Sequence, residues 1–153
     1  MIDSLDLGLK GKVAIVAGGG GDLNGVGNGR AASILLAEAG AKVIVVDKNL
    51  SLANNTVNII REKGGEAIGI GGDLTQANEC KKVVEFSIDN WGRLDILDNN
   101  IGIASKLSVV DETEEYWDHL MNINLKPMFL MSKFAIPAMI NSGDGGSIVN
   151  ISS

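Results

Sequence analysis

The sequence lacks the residues that several classes of protein require. Its 153 residues include one cysteine, Cys80, which cannot form an internal disulfide, and no cysteine and histidine cluster with zinc-ligand spacing. Basic residues number 13 against 19 acidic ones, so a net charge of −6 does not supply the positive field that binds a phosphate backbone. We therefore expect no metal site and no nucleic-acid partner.

Long apolar runs are absent as well. Runs such as residues 13–17 and 43–46 are far shorter than the ~20 residues that span a bilayer. Residues 1–6 lack the positive flank and the apolar stretch of a secretory signal. Although aromatic residues make up only 4% of the chain, 45% of it is hydrophobic, which excludes a disordered protein. We expect a cytoplasmic protein that has no membrane partner.

Short β-branched runs alternate with longer helical patterns along the whole chain. The first two runs are apolar on both faces, as in strands buried within a parallel sheet. Strands are predicted over residues 13–17, 42–47, 66–71, 94–97 and 147–151. This order predicts one α/β domain over residues 1–153, with a doubly wound parallel sheet that is truncated after its fifth strand.

Helices are predicted between these strands from their apolar spacing and their capping residues. The first covers residues 30–39, the second begins at an N-cap on Ser51, and the third begins at a cap on Thr75 and ends at residue 91. A long helical region follows over residues 113–140, with kinks or breaks expected at two prolines, Pro127 and Pro137. Ligands of such sheets bind at the carboxyl ends of the strands, where the strand order reverses.

A glycine-rich segment follows the first predicted strand. Residues 27–32 fit the pattern G-x-G-x-x-[G/A], in which glycines let the backbone approach a pyrophosphate and the next helix offers free N–H groups. Asp47 ends the second strand 18 residues after Gly29, where an acid can accept hydrogen bonds from an adenosine ribose. The alternative is a flexible loop with a solvated Asp47. No G-K-[ST] follows the glycines, which excludes a P-loop.

Asp47 also favours NAD over NADP. A 2′-phosphate placed about 4 Å from a carboxylate would be repelled by roughly 4 kcal/mol at an effective dielectric constant of about 20. Lys48 would screen part of this repulsion, but the ribose hydrogen bonds would still be lost.

Several segments resemble motifs of the short-chain dehydrogenase/reductase family, in the order in which that family has them. Residues 9–14 (L-K-G-K-V-A) resemble the lead into the first strand, and the glycine segment resembles T-G-x-x-x-G-x-G. The remaining similar segments are G-D-L-T at 72–75, L-D-N-N-I-G at 97–102, M-N-I-N-L-K at 121–126 and G-S-I-V-N-I-S-S at 146–153. The resemblance covers nearly the whole chain.

The resemblance implies a Rossmann-like fold and an oxidoreductase that transfers a hydride between NAD and a secondary alcohol or ketone. It assigns catalytic roles to Asn124 and Ser153. It also implies that the small-molecule substrate binds beside the cofactor and that the full-length protein is a homo-oligomer. The residues it implies for cofactor binding, together with those argued above, are Gly18, Gly27, Gly29, Asp47, Asp73, Leu74, Asn100 and Gly102.

The chain departs from the family pattern at several positions. Ala17 stands where the family usually has a threonine that ties down the glycine loop, and that loop is longer by about five residues than the common form. Asp98 replaces an apolar residue of L-V-N-N-A-G, so a buried carboxylate needs a partner there. Ile101 replaces the alanine of the same motif and has to fit beside the cofactor.

The family's proton-transferring pair, Tyr-x-x-x-Lys, has no match. The one tyrosine, Tyr116, is followed four positions later by Leu120, and it precedes Asn124 rather than following Ser153. We therefore expect the chain to be the cofactor-binding part of a dehydrogenase, inactive alone. The alternatives are a non-catalytic nucleotide-binding protein and an S-adenosylmethionine-dependent methyltransferase, which also has a glycine loop and an acid after its first two strands.

Overall fold

A computed structural model describes residues 7–21 and 25–152 of the protein. Strands and helices alternate through these residues, with two successive helices before the last strand. The elements are β1 Val13–Ala17, α1 Asn28–Glu38, β2 Lys42–Asp47, α2 Leu50–Glu62, β3 Glu66–Gly71, α3 Ala77–Trp91, β4 Ile96–Asn99, α4 Glu114–Asn124, α5 Lys126–Asn141 and β5 Ser147–Asn150.

The described strands form one parallel sheet in the order β3-β2-β1-β4-β5. The order reverses between β1 and β4, because β2 and β3 extend the sheet to one side and β4 and β5 to the other. Such a reversal opens a crevice at the carboxyl ends of the strands. The predicted fold class, a doubly wound Rossmann-like sheet, is confirmed.

Alternate residues of β1 enter two separate hydrophobic cores, one on each face of the sheet. Val13, Ile15 and Ala17 pack with residues of α3 and α5, whereas Ala14 and Val16 pack with residues of α1 and α2. A strand covered on both faces has no polar position, which is why its sequence is a continuous apolar run. No helix in the described ranges is long and apolar enough to cross a membrane.

The starts of three helices differ from their predicted positions, and α1 begins at Asn28, two residues earlier than predicted. Asn49 caps α2, because its side chain accepts a hydrogen bond from Ser51 N–H at 3.0 Å. Gln76 occupies the N-cap position of α3. The predicted cap, Thr75, instead donates its hydroxyl proton to Asp73 at 2.8 Å, since that carboxylate lies closer to it than the helix does. Both predicted caps were wrong by one or two residues.

Two strand boundaries also differ from the prediction, and β5 ends at Asn150, one residue earlier than predicted. β4 lies two residues later than predicted, since it ends with the polar residues Asp98 and Asn99, which are buried at 6% and 1% exposure. The predicted break near Pro127 is present, because Leu125 separates α4 from α5 and Pro127 lies in the first turn of α5. Pro137 lies inside α5, and the helix continues past it.

Candidate functional site

A cleft of about 740 Å³ opens at the carboxyl ends of β1, β2, β3 and β4. The segments that follow these strands and the first turn of α1 form its walls. All eight residues predicted to bind a cofactor line it, namely Gly18, Gly27, Gly29, Asp47, Asp73, Leu74, Asn100 and Gly102. Of the two predicted catalytic residues, Asn124 contacts a wall of the cleft, and Ser153 lies outside the described residues.

The floor of the cleft is a close crossing of three backbone segments. Gly18 has φ +81°, and a Cβ built there would lie 2.9 Å from the carbonyl oxygen of Asn100. A Cβ built on Gly29 would overlap the carbonyl oxygen of Gly18. The absence of side chains at these two positions therefore lets the first turn of α1 lie against β1 and β4.

Polar side chains of α1 and α2 hold the glycine loop in place. Thr56, which is fully buried on α2, donates its hydroxyl proton to the carbonyl oxygens of Gly19 and Gly20, at 3.0 and 3.3 Å. Arg30 donates to Thr56 Oγ1 at 3.1 Å and to the Gly20 carbonyl oxygen. Thr56 thus supplies the hydroxyl that Ala17 lacks.

Sequence reasoning missed both of these supporting residues. The available signal for Thr56 was a hydroxyl on the same helical stripe as the apolar residues Ala53, Val57 and Ile60, all of which are buried. A polar residue on such a stripe needs a hydrogen-bond partner, which predicts a contact with the segment that the helix covers.

The end of the cleft beside β2 and β3 is charged. Asp47 accepts a hydrogen bond from Asn49 N–H at 2.9 Å, and its carboxylate faces Gly20. Lys48 forms an ion pair with Asp73 at 3.2 Å. Hydrogen bonds from the hydroxyl and the N–H of Thr75, together with Lys48, hold the pKa of Asp73 below its usual value. Asp73 is therefore ionised at neutral pH.

The opposite end of the cleft is apolar. Its lining comes from the segment after β4, from α4 and α5, and from the residue after β5. The large apolar residues are Ile101, Ile103, Ile123, Pro127 and Ile151. Ile101, which replaces the family's alanine, also packs against the core on the α3 and α5 face. The cleft therefore combines one end suited to hydroxyl groups and one end suited to an apolar ring.

Asn124 holds the apolar wall in position. Its side-chain N–H donates to the carbonyl oxygen of Ile103 at 2.8 Å, and its side-chain oxygen accepts from Ile103 N–H at 2.9 Å. This reciprocal pair fixes the backbone after β4 to the last turn of α4. Such a contact is structural and leaves the catalytic role of Asn124 a prediction.

Asp98 has the partner that its burial requires. The side-chain nitrogen of Asn100 donates to both carboxylate oxygens at 2.8 Å. Burial raises the pKa of Asp98, and the hydrogen bond from Asn100 opposes that rise only in part.

Tyr116 lies outside the lining of the cleft. It is located on α4, is 38% exposed, and has its ring 5.6 Å from that of His119. The structure gives it no position from which it could exchange a proton with a ligand in the cleft.

The chain is a Rossmann-like α/β protein. Its strand order, the close crossing of its glycine segment and the acids Asp47 and Asp73 at the strand ends define this class. A family model described as short chain dehydrogenase matches residues 12–153. The chain belongs to the short-chain dehydrogenase family, whose members are oxidoreductases that use nicotinamide cofactors.

Relatives and solved structures agree with this assignment. An uncharacterized oxidoreductase of Thermotoga maritima is 39% identical over 147 residues, which are 96% of this chain and 55% of the relative. A 2,5-dichloro-2,5-cyclohexadiene-1,4-diol dehydrogenase of Sphingobium indicum is 37% identical over 95% of this chain and 56% of its own length. The chain spans about half the length of these curated relatives.

A solved structure of 7α-hydroxysteroid dehydrogenase, complexed with NADH and 7-oxo glycochenodeoxycholic acid, superimposes with a TM-score of 0.85. It is 34% identical, and the match covers 95% of this chain and 54% of that one. The matched portion of that enzyme has the same fold as the present chain.

Proposed function

We propose that this chain binds NAD(H) and that the protein to which it belongs interconverts secondary alcohols and ketones. The observation that carries the proposal is the convergence of eight residues, predicted from scattered motifs, on one cleft at the reversal of the strand order. Ligands of open α/β sheets bind at this position.

The residues of the cleft fit a dinucleotide. The close crossing of Gly18 and Gly29, which a Cβ on either residue would prevent, brings the first turn of α1, with its free N–H groups, to the cleft. Asp47 offers a carboxylate to the ribose hydroxyls, and Asp73 with the backbone at Leu74 offers polar groups to an adenine ring. Ile103 and Ile123 offer an apolar wall to the nicotinamide end.

The charges in the cleft favour NAD over NADP. Asp47 would repel a 2′-phosphate. Lys48, the cation best placed to offset that repulsion, is already paired with Asp73 at 3.2 Å. To neutralise the 2′-phosphate of NADP, Lys48 would have to leave Asp73, and the phosphate would replace the ribose hydroxyl that hydrogen-bonds to Asp47. NAD binding requires neither change.

The bound cofactor supplies the hydride, and the chain's own residues bind and orient it. Asn124 positions the backbone of Ile103 beside the apolar end of the cleft. A phenol needs a nearby cation to act as a base at neutral pH. Because Tyr116 lies outside the cleft, we expect the chain by itself to bind the cofactor without turning over an alcohol.

Titration of the chain with NADH, NADPH and S-adenosylmethionine, followed by fluorescence and calorimetry, tests the proposal. We expect NADH to bind more tightly than NADPH, and S-adenosylmethionine not to bind. Binding of S-adenosylmethionine alone would contradict the proposal and favour a methyltransferase. NADH binding by the full-length protein without turnover of any alcohol in a broad panel would favour a non-catalytic nucleotide-binding protein.

The Asp47→Asn substitution tests the origin of the cofactor preference. It removes one charge, so we expect NADH affinity to fall about tenfold and the preference for NADH over NADPH to shrink. Asp111→Asn is the matched control, since Asp111 is an exposed carboxylate outside the cleft lining. An unchanged preference in Asp47→Asn would show that another residue sets it.

A further inference from the structure

Asp98 is a carboxylate placed on an apolar face of the sheet. In the strand register it lies between Val16 of β1 and Val149 of β5, and it is 6% exposed. Residues in register on parallel strands point to the same face, so the two flanking side chains are apolar. An acid at such a position destabilises the folded protein unless it is paired.

The hydrogen-bond partner of Asp98 is a residue of the cleft. Asn100 donates from its side-chain nitrogen to both oxygens of the carboxylate at 2.8 Å. No cation among the described residues forms an ion pair with Asp98. The carboxylate therefore acts on its surroundings mainly through the amide of Asn100.

The Asp98 carboxyl group accepts hydrogen bonds from the Asn100 nitrogen on both of its oxygens, and the amide oxygen has no proton to donate in the nitrogen's place. The carboxyl group accordingly holds the nitrogen of the Asn100 amide towards itself and excludes the flipped arrangement. The oxygen of the amide then points away from Asp98, and the described residues form no hydrogen bond to it. Asn100 lines the cleft, where the first turn of α1 packs close to its Cβ.

We propose that Asp98 is a positioning residue for the cofactor, which fixes the Asn100 amide so that its oxygen accepts a hydrogen bond from the bound dinucleotide. The ligand group is a donor, a ribose hydroxyl or the carboxamide N–H. This inference rests on the proposed NAD(H)-binding function. It also explains why a position suited to valine carries an acid.

The positioning role predicts opposite effects on affinity and on stability. Asp98→Val replaces a buried carboxylate with a side chain that matches Val16 and Val149, so the midpoint of unfolding in urea should rise. The same substitution frees the Asn100 amide to rotate, so NADH affinity should fall about five- to tenfold. A residue that only supported the fold would lower both quantities.

A double-mutant cycle tests whether Asp98 affects NADH affinity through Asn100. We expect Asp98→Asn and Asn100→Ala each to weaken NADH binding, and Asp98→Asn to have no further effect in the Asn100→Ala background. Ile96→Val is the matched control, because Ile96 lies on the same face of β4 and outside the cleft lining. Its NADH affinity should equal that of the unsubstituted chain.

The experiment separates failure of this inference from failure of the proposed function. An unsubstituted chain that binds no NADH would overturn the proposed function and this inference with it. Tight binding by the unsubstituted chain, combined with an additive cycle or with unchanged affinity in Asp98→Val, would overturn the positioning role alone. A parallel loss of stability and affinity in Asp98→Val would assign Asp98 to the fold.

Discussion

At the residue scale, the two glycines of the cleft floor, Gly18 and Gly29, differ from Gly25 of the same loop. Gly29 is helical, and the obstacle to a side chain there is the Gly18 carbonyl oxygen rather than the backbone conformation. Gly25 belongs to the same loop, but a Cβ built on it meets no atom within 4 Å. The pattern of glycines therefore contains both required and dispensable positions.

Replacing Gly29 with alanine should disrupt the floor of the cleft. The added methyl group cannot be accommodated without moving α1 away from β1, so we expect a loss of about 2 kcal/mol in the free energy of unfolding and a large loss of NADH affinity. Urea denaturation and NADH titration measure the two effects. Gly25→Ala is the control and should change neither, and equal losses in both variants would contradict this account.

Residue-level prediction selected residues that share one cleft, and their role in cofactor binding stays a prediction. Glycines at a close crossing and an acid after β2 follow from the chemistry of a dinucleotide, and all of the predicted binding positions line the cleft. Thr56 and Arg30 were missed because their partners include backbone carbonyls of the glycine loop that lie 5 to 37 positions away in the sequence. A side chain that bonds to distant backbone leaves no local pattern.

At the scale of elements, an ion-pair network joins the amino-terminal ends of β1 and β4 to the turn before β5. Asp95 is 5% exposed and accepts hydrogen bonds from Arg93 and from Val13 N–H. Asp144, on the turn, pairs with Lys12 and Arg93 at 3.3 and 2.9 Å. The network lies at the opposite end of the sheet from the cleft.

Asp95→Asn should destabilise the protein in a pH-dependent manner. Burial alone would raise the pKa of Asp95, but the hydrogen bonds from Arg93, Val13 N–H and Lys12 outweigh it and hold the pKa below its usual value. Ionised Asp95 therefore stabilises the fold above about pH 4, and this contribution is lost as the pH falls through the lowered pKa.

We expect Asp95→Asn to lower the free energy of unfolding by about 2 kcal/mol at pH 7. The difference from the unsubstituted chain should shrink below about pH 4. Urea denaturation across this range measures it. Asp144→Asn is the control, because it removes the exposed member of the network and should have little effect on stability. A pH-independent difference for Asp95→Asn would show that the charge of Asp95 does not cause its contribution to stability.

Prediction of the elements was most accurate for strands. The limits of β1, β2 and β3 were predicted to the residue, because β-branched runs bounded by glycine or lysine have sharp ends. The limits of β4 were shifted, since its last residues, Asp98 and Asn99, are polar but buried. Asn100 donates to the Asp98 carboxyl group and Asn99 donates its side-chain N–H to Asn150, and both contacts depend on neighbouring strands and loops.

At the scale of the whole molecule, α5 exposes an apolar stripe. The stripe consists of three residues of α5 and the residue that precedes the helix. Successive members are four or seven positions apart, so they lie on one side of the helix. They are Leu125, Phe129, Ile136 and Ile140, all at least 47% exposed. A stripe of this kind favours association between chains.

Phe129→Glu should reduce self-association without loss of the helix. Glutamate at this position lies four residues before Lys133, a spacing that stabilises an exposed helix. Sedimentation velocity over a range of concentrations measures the effect. Leu35→Glu is the control, since Leu35 is a similarly exposed leucine on α1, outside the stripe. Equal reductions by both substitutions would indicate that net charge, rather than the stripe, governs association.

NADH should stabilise the whole molecule against heat. A ligand at about 100 times its dissociation constant adds about 2.7 kcal/mol to the free energy of unfolding. We expect the melting temperature to rise with NADH concentration, and to rise less in Asp47→Asn than in the unsubstituted chain. Scanning calorimetry measures both, and a melting temperature independent of NADH would contradict binding to the folded state.

The sequence by itself determined the alternation of strands and helices, the parallel sheet and the residue types of the cleft, because each follows from local periodicity or from the chemistry of one motif. Only the tertiary structure decided that Thr56 and Arg30 support the glycine loop, that Lys48 is paired with Asp73, and that Asn100 donates hydrogen bonds to Asp98. These contacts depend on the angles and distances between packed elements, which no short stretch of sequence specifies.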